Sequence, residues 1–476
     1  SGHLLVPAGN RAQAPDHHHQ QPHSTLSSQA MATVKVIEVA RVAPLPQELV
    51  LRLSALDAQW FVIPVIQRLL LFDDASGQFP PFESIVVSLR ASLVSTLARF
   101  PPLAGRIVFL PSTGDAAIDC SGSEDGGARF VVAEMEDADA RKLAGDTDHD
   151  VDAFKALVPE LKTDALPAEV LAVQVTRLKG GVAVGVAMHH VVVDGRSLWW
   201  FLEAWAAACR GEDAVGAPTF ERTAVTLPGG EELARSTLRK YAPNLPLVPM
   251  LFPPGPSLPR RTLTIAAQHI RRLKQRISDL TTSPISAQAT TPAPSSFVAI
   301  AALTWVSFVR SKHPDAVSAD NDVYLFFFCD CRGRRGIDPP VSENYFGTCI
   351  TGCLAKATAR DLLAEDGVAA AAAAVQGVVR RAAVDPLALW DWMDICSWVP
   401  LDRLVNVSGS TRFPAYEVVD FGWGGLTRTE LVTMNAGGQM VLVAAKGGCG
   451  GVQASVCMEP DHMDAFNSHF LNSLVD

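Results

Sequence analysis

A histidine and an aspartate four residues apart, His190 and Asp194, lie in Met188-His189-His190-Val191-Val192-Val193-Asp194-Gly195. An imidazole, with an unperturbed pKa of about 6.5, can take a proton from a hydroxyl near neutral pH. Such a base has to be held by regular structure on both sides. The preceding run Gly181-Val182-Ala183-Val184-Gly185-Val186-Ala187 is short, Val-rich and uncharged, and reads as a buried strand. After it, Ser197 reads as the N-cap of a helix through Leu198-Trp199-Trp200-Phe201-Leu202-Glu203-Ala204-Trp205, with Gly211 as its stop. His190 thus falls in a strand-to-helix turn, where a side chain reaches a cleft while its backbone is fixed. A histidine beside an apolar strand is as readily a hydrogen-bonded core residue, and this segment alone leaves both readings open. Metal binding is not expected. His189 and His190 point to opposite faces of an extended backbone. Three valines and a glycine make a poor helical turn between His190 and Asp194. The sequence has no HExxH and no CxxC pair.

A second motif lies far along the chain: Asp420-Phe421-Gly422-Trp423-Gly424. Together, His190/Asp194 and this pentapeptide resemble the HxxxD and DFGWG signatures of the plant BAHD acyltransferases, in the family's order and separation. The resemblance continues through Leu53-Ser54-Ala55-Leu56-Asp57 with Trp60, and through Leu97-Ala98-Arg99-Phe100-Pro101-Pro102-Leu103-Ala104-Gly105-Arg106. It also covers Cys329-Asp330-Cys331-Arg332 and Glu343-Asn344-Tyr345-Phe346-Gly347. It implies an α/β protein with a two-domain chloramphenicol-acetyltransferase-like fold. Mixed sheets with flanking helices would place the active site at the domain interface. It also implies transfer of an acyl group from a coenzyme A thioester to a hydroxyl or amine through a ternary complex. Acyl-CoA would be a co-substrate, and no permanently bound cofactor is expected.

Composition sets the frame. The 476 residues suit two domains, and at 48% apolar content they can form large cores. The net charge of −10 argues against a general affinity for nucleic acid or anionic membranes. No apolar run reaches the roughly 20 residues of a spanning helix. The best stretch, Trp60 to Phe72, is interrupted by Gln67 and Arg68. Nine cysteines without a framework fit a reduced compartment, so a cytoplasmic protein is expected; a monomer is expected as well. Residues 1–30, with His17-His18-His19 and His23, lack periodicity and a signal-peptide core, and read as a disordered extension. Residues 31–210 then form the HxxxD domain, and 211–259 a Pro- and Gly-bearing crossover linker. Residues 260–476 form the DFGWG domain. Ser296 to Arg310 reads as a strong helix, and Thr281 to Pro294 as a loop. The Ala369–Ala374 run is helix-prone. Gln439–Ala445 and Val452–Val456 read as a hairpin around Gly447-Gly448-Cys449-Gly450-Gly451. That glycine turn has a nucleophile-elbow outline, but a strand follows where an elbow needs a helix, which disfavours an α/β hydrolase.

Chemistry and resemblance together make His190 the general base, a role typically worth about 10²–10⁴-fold. The resemblance implies that Asp194 turns away from the cavity and pairs with an arginine of the second half, at the position of Arg332. The pair would form a latch between the halves; a CoA-phosphate contact or a solvated charge beside Arg334 and Arg335 is the other reading of Arg332. Asp420, Phe421, Gly422, Trp423 and Gly424 would shape the CoA channel, with Trp423 as an apolar plug. The chain then departs from the family pattern with Gly425-Leu426. Arg271, Arg272, Lys274 and Arg276 form a basic cluster for the anionic end of CoA, or a solvated helix face.

Tyr345, Phe346, Gly347, Thr348 and Cys349 resemble the YFGNC motif of the branch that malonylates anthocyanin and flavonoid glucosides, with Thr348 replacing asparagine. Ser408-Gly409-Ser410, Arg412-Phe413, Tyr416 and Glu430 fit the same branch. The free carboxylate of a malonyl group needs a cation, and Arg196, Lys446 and Arg428 are candidates. The function implied is malonyl transfer to a hydroxyl of a phenolic or flavonoid glucoside, a small-molecule acceptor. Alternatives are a hydroxycinnamoyl- or acetyl-CoA transferase, a thioesterase, and a non-catalytic phenolic-binding relative; an intact His190, Asp194 and Gly195 speak against the last.

Overall fold

The computed structural model describes residues 33–475 apart from 64, 123–125, 214–215, 252–254, 282–292 and 435. The expected extension at 1–30 and most of the Thr281 to Pro294 loop lie outside the described residues. In chain order the first strands are β1 (Lys35–Val42), β2 (Val50–Arg52), β3 (Val65–Asp73), β4 (Arg106–Leu110) and β5 (Asp115–Asp119). They are followed by β6 (Ala128–Asp139), β7 (Ala168–Glu169), β8 (Leu171–Lys179) and β9 (Gly181–His189). The later strands are β10 (Arg260–Ile265), β11 (Asp322–Asp330), β12 (Ile350–Thr358) and β13 (Leu404–Gly409). The last are β14 (Arg428–Leu431), β15 (Gln439–Ala444) and β16 (Val452–Cys457).

Two six-stranded mixed sheets result, ordered β1-β6-β8-β9-β3-β14 and β10-β16-β15-β13-β11-β12, beside a small sheet β2-β5-β4-β7. Strand β14 leaves the second half of the sequence and completes the first sheet, pairing Arg428 with Leu71 and Leu431 with Arg68. The largest core joins Leu70, Phe72, Val184, Val186 and Trp205 of the first half to Phe326, Phe346, Trp392 and Phe421 of the second. The seam is therefore sealed by apolar burial contributed from both sides. A second core lies between the second sheet and the helices Ser296–Lys312, Gly367–Val384 and Pro460–Val475.

β9 forms where its valines predict and is buried over nearly its whole length. The helix after it runs Gly195–Cys209, and its N-cap is Asp194, not Ser197. Both are capping types, but the Asp194 carboxylate accepts the Ser197 amide, which puts Ser197 inside the first turn. The stretch read as linker contains a helix, Gly230–Tyr241, with Glu231 and Glu232 in its first turn and Arg239 and Lys240 in its last. Those charges suit the helix dipole, and the few buried residues, Ala234, Thr237 and Leu238, are too sparse for a clear sequence period. Helix Gly367–Val384 is long and apolar enough to cross a membrane, yet Val368, Ala371, Ala372, Val375 and Val378 pack into the second core.

Candidate active site

β9 ends at His189, and its two histidines part there. His189 is buried at 2% exposure, and its Nδ1 accepts the Val191 amide at 3.3 Å. Burial pushes its pKa down to about 3, making it a neutral core residue. His190 keeps part of its surface, and its ring stacks on Trp60 at 3.5 Å between centroids and 10° between planes. Its Nδ1 is sealed without a hydrogen-bond partner, so Nε2 is the nitrogen at the open edge. Burial lowers its pKa to about 4, with its own carbonyl and then Asp194 partly opposing the shift. The imidazole is therefore neutral at pH 7 and able to accept a proton. Thr348 Oγ1 donates to the His190 carbonyl, tying the His190 turn to the second half of the chain.

Asp194 is fully buried, and its carboxylate is engaged by groups other than the His190 ring. Its Oδ1 accepts the Ser197 amide at 2.9 Å, while Oδ2 accepts the Cys349 amide at 3.0 Å and Arg332 Nη1 at 2.9 Å. Arg332 also donates from Nε to the Tyr345 carbonyl at 2.8 Å and from Nη1 to Asp330 at 2.9 Å. Its Nη2 reaches the Gly347 carbonyl at 2.8 Å and Ser197 Oγ at 3.2 Å. Burial alone would raise the Asp194 pKa, but Arg332 overrides it and holds the carboxyl below its ordinary value. For Arg332, burial is likewise outweighed by Asp194 and Asp330, and its pKa is raised. Gly195 completes the joint, since a Cβ there would lie 2.8 Å from the Phe413 ring.

The residues expected to read the donor occupy this same joint. Tyr345, Phe346 and Thr348 are all buried, and the Phe346 ring packs on Phe100 at 4.8 Å and Phe220 at 5.8 Å. Gly347 exchanges hydrogen bonds with Ser197 Oγ at 3.0 and 3.1 Å. Tyr345–Thr348 thus supports the His190 turn from behind. Arg196 is taken by Asp330 at 3.2 Å and Glu343 at 2.8 Å. Arg428 is buried against Glu430 at 2.8 Å and the Leu143 carbonyl at 3.2 Å, and Lys446 is exposed. In the basic cluster on helix Ala267–Thr281, Arg271 and Arg272 are exposed and Lys274 and Arg276 half-buried.

The second motif builds its own loop. Asp420 Oδ1 accepts the Gly422 amide at 2.8 Å, and its carbonyl accepts from Arg210. The buried plug is Phe421 at 1% exposure; Trp423 is half-buried, 4.6 Å from Phe72 and 5.2 Å from Phe79. Gly424 has φ +152°, and a Cβ there would fall 2.7 Å from Phe79, so the loop needs glycine. A cleft of about 450 Å³ opens here between Pro80, Ile85, Arg210, Phe421 and Trp423, away from His190.

An aromatic wall beside His190 escaped the sequence reading. Trp60, stacked on His190, meets Phe328 at 4.9 Å and Trp392 at 4.6 Å. Phe328 immediately precedes the Cys329-Asp330-Cys331-Arg332 segment, which was a signal; Trp392 carries none, because only folding brings it from 332 residues along the chain to Trp60.

A family model described as the Transferase family matches residues 32–472. Phenolic glucoside malonyltransferase 1 of Arabidopsis thaliana is 28% identical over 461 residues, 91% of this chain and 96% of that enzyme. Malonyl-coenzyme:anthocyanin 5-O-glucoside-6'''-O-malonyltransferase of Salvia splendens is 29% identical over 468 residues, 93% of this chain and 96% of the relative. The crystal structure of vinorine synthase superposes with a TM-score of 0.68 at 22% identity, covering 93% of this chain and 98% of that one, and so shares the fold. With that match over nearly its whole length, and with HxxxD and DFGWG both in place, the chain belongs to the Transferase family of BAHD acyl-CoA-dependent acyltransferases.

Proposed function

We propose that the protein transfers malonyl from malonyl-CoA to a hydroxyl of a phenolic or flavonoid glucoside, with His190 as general base. The observation that carries this reading is a neutral imidazole at the seam of the two halves, backed by Trp60 and open at Nε2. The names of the two relatives support the donor and acceptor classes.

The acceptor hydroxyl gives its proton to Nε2 as its oxygen bonds to the thioester carbonyl carbon. Collapse of the tetrahedral intermediate breaks the C–S bond, and the imidazolium returns the proton to the leaving CoA thiolate. Burial disfavours the imidazolium, so the proton is held only transiently. Asp194, engaged by Arg332 and two amides, takes no proton and acts as a strut for the turn. The aromatic wall of Trp60, Phe328 and Trp392 suits a phenolic ring on the acceptor side.

The test is product formation by mass spectrometry. Malonyl-, acetyl- and p-coumaroyl-CoA are offered against flavonoid glucosides, shikimate and polyamines, with His190→Ala as control. A malonylated glucoside absent from the control supports the reading. A coumaroyl ester keeps the mechanism and replaces the donor, and free acid without acceptor marks a thioesterase.

A further inference from the structure

Arg68 is a buried cation with no acid paired to it among the described residues. It sits in β3, opposite Val186 of β9 and Leu431 of β14, and is 6% exposed. Among the described residues its side chain forms no hydrogen bond and no ion pair, and its Nε is sealed without a partner. Its guanidinium lies over the Trp199 ring at 5.2 Å. Burial pushes its pKa down to about 10, with weaker opposing pulls from Glu430 and Tyr416.

Glu430 lies beyond ion-pair distance of Arg68, and its oxygens are occupied. Oε1 faces Arg428 at 2.8 Å and Thr262 at 2.5 Å, and Oε2 accepts from Ser455 at 2.5 Å. A buried charge left in this condition is costly unless something else compensates it.

Its position says what that compensation is. Trp199 is four residues beyond Gly195 on the helix that begins at the His190 turn, so both lie on one helix face, about 6 Å apart along the axis. Phe413 of the second half caps that face, 2.8 Å from where a Gly195 Cβ would be and 6.5 Å from Trp199. Along β3, Arg68 shares the sheet face of Ile66, Leu70 and Phe72, opposite Val184, Val186 and Met188, the face that leads into His190. Arg68 therefore stands at the seam, one helical turn from the catalytic turn, with a planar donor fork free.

We infer that Arg68 is the carboxylate subsite of the acyl donor, binding the free carboxylate of a malonyl group whose thioester carbonyl faces His190. This rests on the malonyl reading above. Arg196 and Arg428 are excluded by the acids they already hold, and the guanidinium fork matches a carboxylate in two parallel hydrogen bonds. An acetyl group has the same thioester carbon and no carboxylate, so Arg68 discriminates between the two donors.

The experiment compares kcat/KM for malonyl-CoA and acetyl-CoA in wild type, Arg68→Met and Arg68→Lys, with thermal unfolding of each. Wild-type malonyl turnover is read first; without it the malonyl reading fails and the subsite fails with it. Given that turnover, Arg68→Met should lower the malonyl-to-acetyl ratio on the order of 10²-fold, with Arg68→Lys intermediate. Malonyl-CoA should also raise the melting temperature of wild type more than acetyl-CoA does, and this difference should vanish in Arg68→Met. An unchanged ratio in a folded Arg68→Met variant overturns the subsite and leaves the malonyl reading standing. If Arg68→Met fails to fold, Arg68→Lys decides alone: an unchanged ratio and an unchanged thermal-shift difference between donors refute the subsite.

Discussion

Two arginines are buried at the same seam, and they could hardly be treated more differently. Arg332 donates to Asp194, Asp330, Ser197 and two backbone carbonyls, so its charge is neutralised and its fork filled. The Arg68 side chain donates to none of the described residues and rests on an indole ring. A satisfied buried charge fixes geometry, and here it holds the strand-to-helix turn against the Tyr345–Cys349 segment. An unsatisfied one stores a demand that a ligand can meet. The contrast separates a structural cation from a receptive one at nearly equal burial.

Mutation should break the comparison in opposite directions. Arg332→Ala leaves Asp194 buried and unpaired and should cost roughly 3–5 kcal/mol of stability, measured by urea unfolding. Asp194→Ala should cost about as much, and the double variant far less than the sum; additivity in that cycle would mean that the two residues do not act as a latch. Arg68→Met replaces an unpaired charge by an apolar side chain of similar length. It should stabilise the apo protein by about 1–4 kcal/mol while degrading malonyl selectivity. Destabilisation instead would show that Arg68 already has its partner.

Smaller effects sharpen the picture. Thr348→Val removes the donor to the His190 carbonyl and should cost about 1 kcal/mol, with a larger loss in kcat than in KM. Thr348→Ser should restore both; equal kcat in the two variants would detach Thr348 from the base.

Acid brings out the last effect. Burial holds His189 at about 3 and His190 at about 4, against 6.5 when exposed, so the native state refuses protons that the unfolded chain accepts. Urea midpoints should therefore fall as pH drops from 6.5 towards 4. The contribution of Asp194, whose pKa is lowered below 3.8, is present above that value and is lost as pH falls through the native-state one. The acid limb of kcat/KM should lie near pH 4, and a limb near 6.5 would place His190 in water.

How much was legible in advance follows the range of each interaction. The His190 turn was readable because a valine strand and a helix bounded by a capping residue and a glycine stop are local patterns; the cap was misassigned by three residues because Asp194 and Ser197 are both capping types. Arg332 was reached through resemblance, and its bonds to Tyr345 and Gly347 follow from the fold. The helix Gly230–Tyr241 was passed over because only three of its residues are buried. Arg68 was in plain view, a charge in the middle of Val65-Ile66-Gln67-Arg68-Leu69-Leu70-Leu71-Phe72, but it counted only as an interruption of an apolar run. A charge in a buried strand was the available signal; its missing partner was not.

The sequence by itself determined the strands, most helices, the position of the His190 turn and the family, because these rest on periodicity and short motifs within a few residues. Tertiary structure alone decided which arginines are neutralised, which aromatic rings wall His190, and that the YFG segment braces its turn. Those depend largely on contacts that join distant parts of the chain, where burial removes water and makes each charge answer to whatever the fold has placed beside it.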